Sequence, residues 1–269
     1  MEKVFNKNRL ALLIPFYNDF EGLLKSLNSI KDKLVVDVVI VDDGSKEVLK
    51  RSHLEGITFE GNVNIITMIE NVGIENALNA GLEYIKDNDY EYVGRLDSGD
   101  TCLEDRFFKQ VTYLDQNPDL LLLGSWANYI DEKSNKFLYI LQHPCSNDQI
   151  VKKMRYNSCF VHPSVVFRLE VVKDVGYYPI DCKYAEDYGY FYNIMNFGRV
   201  ENYPEPLINY YVNEKSISTL RRKEQIRSRI KVIKKNVPFS LVKILSLGRN
   251  YLLLYTSRNL ILKIKQYVK

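Results

Sequence analysis

Two apolar runs in this 269-residue chain end in clustered acids, Val41-Asp42-Asp43-Gly44-Ser45 and Arg95-Leu96-Asp97-Ser98-Gly99-Asp100. Carboxylates brought this close are costly to ionise unless a cation or a set of hydrogen-bond donors compensates them. A divalent ion such as Mg²⁺ or Mn²⁺, shared between one or two carboxylates and the oxygens of a diphosphate, is one such compensation. The other reading is an ordinary turn, since Asp, Ser and Gly commonly follow a strand. A third pair, Glu186-Asp187, reads by itself as a solvated acidic pair near a helix start. His162, in Val161-His162-Pro163-Ser164, reads by itself as a hydrogen-bonded structural residue, His53 and His143 as surface residues, and Trp126 as packing.

The elements that must position these acids alternate in period. Residues 10–14 form a short buried strand that Pro15 stops, and a helix follows with Leu23, Leu24, Leu27 and Ile30 at helical spacing. Residues 34–41 are a valine-rich second strand ending at Asp42 and Asp43. Residues 63–69 are a third, followed by Asn71-Val72-Gly73 and a helix carrying Ile74, Ala77, Leu78 and Leu82 on one face. Residues 90–96 are a fourth strand, ending at Asp97. This alternation predicts an α/β domain with a mostly parallel sheet, in which ligands bind at the carboxyl ends of the strands. Beyond residue 115 the pattern loosens into mixed segments at 120–130, 159–169 and 184–192.

With 46% hydrophobic and 26% charged residues, the composition is that of a folded protein rather than a disordered one. The net charge of +3 conceals an asymmetry: residues 221–269 carry 14 Lys or Arg and a single acid, Glu224. A basic tail on an acidic body suits an anionic partner for the tail alone. Cys102, Cys145, Cys159 and Cys182 form no CxxC pair and read as free thiols in a reducing cytoplasm. The start of the chain is polar, with no signal-peptide pattern, and no run approaches the roughly 20 apolar residues of a membrane span.

Taken together, the segments resemble glycosyltransferase family 2, whose members have a Rossmann-like nucleotide-binding α/β fold called GT-A with a mostly parallel mixed sheet. Ile14-Pro15-Phe16-Tyr17-Asn18 is similar to the family's opening IPxYN, and Val41-Asp42-Asp43-Gly44-Ser45 to its VDDGS. Asn71-Val72-Gly73 with Asn79-Ala80-Gly81 is similar to its NxG and A.N.G elements, and Arg95 to Asp100 to its RxDxDD segment. Ala185-Glu186-Asp187-Tyr188 resembles its ED element and Ser216-Ile217-Ser218 the end of its YRxHxxSxS stretch. The matches fall in family order over about residues 10 to 220.

The resemblance implies a metal-dependent, inverting transfer of a hexose or N-acetylhexosamine from a UDP-sugar to a lipid-linked or oligosaccharide acceptor, in surface-polysaccharide or O-antigen assembly. It implies a base and ribose pocket from Pro15, Tyr17 and Asp43, with Asn71, Gly73, Arg95, Asp97 and Ser98 also on the donor. Mn²⁺ or Mg²⁺ would be held through Asp97 and Asp100. Asp187 would be the general base, with Glu186 and His162 on the acceptor side. Gly99 stands where the family has its third acid, Asn213 where it has a histidine and Tyr211 where it has an arginine, so the metal ligands must come from Asp97, Asp100 or both. The expected division is a donor-binding half at 1–115, an acceptor half at 116–220 and a basic helical tail at 221–269.

The tail, with Ile226, Ile230 and Ile233 at helical spacing and Pro238 dividing it, has the composition of an interfacial helix on anionic lipid. This places the protein in the cytoplasm, peripheral on the inner face of the membrane. The competing reading is a helix pair packed on the acidic body. No nucleic-acid module accompanies the charge. Of the alternative functions, a nucleotidyltransferase would need a glycine- and lysine-rich phosphate loop after the first strand, where Pro15-Phe16-Tyr17-Asn18 stands instead. A non-catalytic nucleotide-sugar-binding partner is suggested by Gly99 and Asn213.

Overall fold

The structure, a computed structural model, describes residues 9–212 and 221–256. Asn213 and Ser216-Ile217-Ser218 lie outside the described residues, as do the last thirteen residues of the tail. The first strands, β1 (Leu10–Phe16), β2 (Val36–Asp42), β3 (Val63–Thr67) and β4 (Tyr92–Arg95), alternate with α1 (Phe20–Asn28) and α2 (Ile74–Lys86). They lie in the order β3-β2-β1-β4, all parallel. Helices cover both faces of this sheet, which is why β1 reads as an unbroken apolar run and β2 as one interrupted only by Asp37 before it ends at Asp42. Even-numbered residues Leu10, Leu12, Ile14, Val38 and Ile40 pack with Leu23 and Leu27 of α1. Odd-numbered Ala11, Leu13, Val39 and Val41 pack with Ala77, Leu78 and Leu82 of α2. Helix α2 lies so close to the sheet that a Cβ on Gly81 would stand 2.3 Å from a methyl of Leu13.

The chain winds from β1 outward to β3 and then returns to the other side of β1 for β4. That reversal opens a crevice at the carboxyl ends of β1 and β4. The sheet continues from β4 through β8 (Val166–Arg168), β6 (Leu120–Asp131), β9 (Arg199–Val212) and β5 (Thr101–Cys102), with β7 (Lys136–Leu141) beside β6. Pairings here are mixed: β4 with β8 is antiparallel and β6 with β9 is parallel. The remaining helices are α3 (Arg106–Gln116), α4 (Asn147–Met154), the single turn α5 (Glu170–Asp174), α6 (Glu186–Phe197), α7 (Arg222–Asn236) and α8 (Leu241–Tyr255).

Three expectations change. Pro15 does not stop β1, which runs on to Phe16. The backbone of Phe16 faces β2, accepting from Asp43 N–H, whereas that of Leu13 faces β4, accepting from Leu96 N–H. By alternation Pro15 also faces the β4 side, where β4 has already ended, so its missing N–H leaves no ladder bond unmade. His143 is half-buried rather than superficial: its carbonyl accepts from Trp126 Nε1, and burial lowers its imidazole pKa to about 4. Finally, Ile226, Ile230 and Ile233 of α7 are buried, and Val232 and Ile233 join the same core as Phe191 and Ile194 of α6. These isoleucines serve the body and not a lipid surface. Among the described residues no helix is long and apolar enough to cross a membrane.

If α7 is part of the core, Ile233→Ala will lower the unfolding free energy by about 2–4 kcal/mol in urea, in one transition with the body. Leu252→Ala on the outward side of α8 will cost less than about 0.5 kcal/mol.

Candidate functional site

The Asp42-Asp43 pair is compensated entirely by backbone donors. Asp42 Oδ1 accepts from Ser45 N and its Oδ2 from Leu49 N, both at 2.9 Å, so Asp42 builds the turn. Asp43 Oδ1 accepts from Val72 N at 2.8 Å and Oδ2 from Gly73 N at 3.1 Å, tying the β2 loop to the loop that enters α2. Burial raises the Asp43 carboxyl above its usual range even though both amide bonds pull it down. Gly44 makes this approach possible: its φ is +68°, and a Cβ there would lie 2.2 Å from the Glu70 carbonyl carbon. The β1 loop is laced to the same turn, since Asn18 N donates to Ser45 Oγ and Asn18 Oδ1 accepts from Lys46 N. Tyr17 stands exposed at this rim, with Pro15 half-buried beneath it and Asn71 exposed on the far side.

The second acid cluster is compensated differently. Arg95, 1% exposed, ends β4 and reaches the Leu96 carbonyl and Asp97 Oδ1. Asp97 is one third exposed. Asp100 is buried; its Oδ1 accepts from Tyr211 N at 2.8 Å, while its Oδ2 has no partner. Burial, and after it the charge of Asp97, push the Asp100 carboxyl well above the ordinary carboxylate range. The loop between them is fixed to α1: Gly99 N donates to Ser26 Oγ at 2.9 Å, and the Ser26 hydroxyl lies 2.7 Å from the Asp100 carbonyl. Ser98 Oγ donates to Asp19 Oδ2. Lys25 Nζ sits over the Tyr211 ring, 2.9 Å from its centroid, within the field of Asp100. Asp19, Lys25 and Ser26 escaped the sequence reading because polar residues scattered along a short helix look like surface.

Among the described residues no group of three or more His, Cys, Asp or Glu side chains is gathered as a metal cage. The residues nevertheless fit a divalent ion of the kind that keeps water and substrate oxygens in its shell. They offer one part-exposed carboxylate, Asp97, and one buried carboxylate oxygen, Asp100 Oδ2, that lacks a donor.

Glu186 and Asp187 open helix α6, and their electrostatic neighbours place them in the same cluster. The Glu186 carboxyl is raised to about 8 by burial, with Asp187 and Glu75 adding to the shift and Arg95 opposing it. Asp187 is raised by burial, with Asp97 adding to the shift and Arg229 of α7 opposing it. Glu75, in the first turn of α2, is buried with one unpartnered oxygen, as is Glu186. Lys183, just before α6, lies within the field of Asp43. It is exposed, and no motif signals it. His162 does not join the open site. Its Nε2 bonds the Tyr178 hydroxyl at 3.0 Å, and its ring packs on Phe191. Burial depresses its pKa well below the usual histidine value. Tyr178 is held in turn by Asn79, with Tyr178 N donating to Asn79 Oδ1 at 2.8 Å. His162 thus stands as a neutral support behind Arg95.

A model of glycosyl transferase family 2 matches residues 11–176. The amylovoran biosynthesis glycosyltransferase AmsE of Erwinia amylovora is 32% identical over 82% of this chain and 83% of that protein. The UDP-Gal:alpha-D-GlcNAc-diphosphoundecaprenol beta-1,3-galactosyltransferase of Escherichia coli is 29% identical over 62% of this chain and 59% of its own. Two solved structures share the fold. TarS 1–349 of S. aureus with UDP-GlcNAc has a TM-score of 0.67 at 17% identity, over 90% of this chain and 71% of that one. The mannosyltransferase PcManGT of Pyrobaculum calidifontis with GDP-Man and Mn²⁺ has a TM-score of 0.63 at 15% identity, over 98% and 80%.

The raised Glu186 carboxyl carries a pH signature. From about pH 4.5, where the unfolded chain releases this proton, to about pH 8, the folded protein keeps it, so stability falls as pH rises across that window. Glu186→Gln removes this contribution. Its Tm relative to the parent will therefore climb from pH 5 to pH 8.5 in scanning calorimetry; a difference that is constant with pH would show that Glu186 titrates normally.

Proposed function

The chain belongs to glycosyltransferase family 2, and from that premise we propose that it moves a hexose or N-acetylhexosamine from a UDP-sugar to a lipid-linked glycan in surface-polysaccharide assembly, with inversion. The observation that carries this is the gathering, at the carboxyl edge of one sheet, of the donor-fixing Asp43, the Asp97-Asp100 pair with its unpartnered oxygen, and the raised carboxyls of α6. The AmsE relative supports the polysaccharide setting, and the galactosyltransferase relative supports both a UDP-sugar and a diphosphate-lipid acceptor.

In this reading residues 1–115 form the donor half, 116–220 the acceptor half and 221–269 the tail, which holds the enzyme at the inner face of the cytoplasmic membrane. Pro15 and Tyr17 line the base pocket; Asp43, already anchored by two amides, keeps lone pairs for the uridine; Asn71, Gly73 and Ser98 flank the donor. Arg95 fixes the direction of Asp97. Asp97 and Asp100 would hold a Mn²⁺ or Mg²⁺ ion, which when bound would supply positive charge to offset that of the departing diphosphate. Asp187 takes the proton of the acceptor hydroxyl as that oxygen bonds to the anomeric carbon, and the bond from that carbon to the diphosphate breaks with its electron pair leaving on UDP. Burial raises the Asp187 carboxyl and so makes it a stronger base than a free aspartate, with Arg229 opposing that shift. Glu186, protonated below about pH 8, is suited to donate a hydrogen bond to a sugar hydroxyl.

Calorimetric titration with UDP, GDP, CDP and dTDP, each with and without Mn²⁺, will show selective UDP binding that strengthens with the ion. Asp43→Asn and Asp97→Asn will weaken it. Asp187→Asn will leave UDP binding within about threefold and lower kcat by about 10²–10⁴-fold. Wild-type turnover in Asp187→Asn would remove that residue as the base, and no binding of any nucleotide would leave a non-catalytic protein.

A further inference from the structure

Helix α8 sets polar residues as well as apolar ones against the body. A helix packed on a soluble body turns its apolar side inward, and Leu247 does pack on the core, yet the fully buried residues of α8 are Ser246 and Asn250. Ser246 Oγ donates to the Arg155 carbonyl at 2.7 Å, while Asn250 Nδ2 donates to the Ser246 carbonyl of its own helix and lies 3.5 Å from the Tyr156 carbonyl. The outward residues are Leu241, Ile244, Leu245, Leu252 and Tyr255, at helical spacing and continued by Phe239 in the preceding turn. Leu241 and Leu252 are 71% and 69% exposed, Phe239 88% and Tyr255 85%. Helix α7, packed alongside, exposes Lys223, Arg227, Lys231, Lys234 and Lys235. The pair therefore presents an apolar strip next to a basic one.

We propose that this outward side of α8 lies in the interface of an anionic phospholipid bilayer, with the lysines and arginines of α7 on the headgroups. The proposal deepens the membrane reading above and relocates it, from the isoleucines of α7 to the leucines of α8. Charge selects the occupant. Residues 221–256 hold ten Lys or Arg and one acid, so a second copy docking through the same helix pair would bring like charge against like. Residues 257–269 add four more cations and no acid, so they too would be repelled. Anionic lipid offers both the negative surface and the hydrocarbon that the two strips require. Because α7 also carries Arg229 beside Asp187, the membrane-bound helix pair is continuous with the candidate base. An acceptor whose lipid tail lies in the bilayer would thus meet that base with no lift out of the membrane.

The test uses the full chain and vesicles of phosphatidylcholine with about one third phosphatidylglycerol, free of any acceptor. Wild type will co-sediment with them, and the double variant Leu241→Glu, Leu252→Glu will partition on the order of tenfold or more less. Both sites are exposed, and unchanged Tm and UDP binding will show that the variant is folded. Three results overturn the proposal: wild type ignores the vesicles; the variant binds them as wild type does, which leaves charge alone as the cause; or wild type is a dimer by light scattering that the variant dissociates. UDP binding measured on the same samples separates the readings. A chain that partitions but binds no nucleotide loses the transferase assignment and keeps this one, and a chain that binds UDP but not vesicles does the reverse.

Discussion

The site depends on Arg95, a guanidinium with almost no access to water at the end of β4. A buried cation persists only among compensating acceptors. Here these are the Leu96 carbonyl and Asp97, with Asp100 and Glu186 within its field. The β4 carbonyl that Arg95 itself carries accepts from a second buried arginine, Arg106, whose Nε is held by Gln110. The end of β4 is thus fixed from both sides, and Asp97, Asp100 and Glu186 lie within the field of its guanidinium. Yet the cluster contains more carboxylates than cations: Asp97, Asp100, Glu75, Glu186 and Asp187 stand against Arg95, Lys25 and, from α7, Arg229. Burial first, and the neighbouring carboxylates after it, raise the carboxyl pKa values at Asp100, Glu186 and Asp187. A site so arranged is primed for whatever brings positive charge or hydroxyl donors.

The same bookkeeping explains why one acid pair is satisfied by backbone donors and the other is not. Both follow parallel strands and look alike in sequence. The difference lies in who donates to them. Asp42 and Asp43 receive four backbone amides between them, from Ser45, Leu49, Val72 and Gly73. Asp97 and Asp100 receive one amide and one guanidinium, leaving Asp100 Oδ2 without a donor. Asp43 can therefore act only as a rigid acceptor for a ligand, while the Asp97-Asp100 pair retains a demand for a cation.

What was legible in the sequence follows from how local each signal is. The strands β1 to β4 and helices α1 and α2 are readable because each is a contiguous apolar or amphipathic run with its turn residues attached, and the site residues at their ends came with them. Strand β9 was not readable: Arg199–Val212 contains Pro204 and Pro206, and it is stabilised by pairing with β6, some eighty residues away, through irregular register near Trp126. His162 and Glu75 carry no local mark of their roles either. One is defined by the hydroxyl of Tyr178 and the other by burial beside Gly73. In the tail, the helical spacing of Ile226, Ile230 and Ile233 was correct, but spacing gives a face and not what the face meets.

That last ambiguity has a physical resolution in the order of the two tail helices. An amphipathic helix can bury its apolar side in a protein or in a lipid interface, and the hydrophobic gain per area is similar in either case. What distinguishes them is the side that remains. On α7 the remaining side is basic and solvated, so protein burial is complete. On α8 the fully buried positions are the polar Ser246 and Asn250, with Leu247 half-buried beside them, so the body is covered while Leu241, Ile244, Leu245 and Leu252 stay outside. A folding chain gains nothing from that arrangement in water alone, where exposed leucines stay hydrated. The proposed lipid interface would supply a second apolar phase for those leucines, and the cations of α7 match one bearing negative charge.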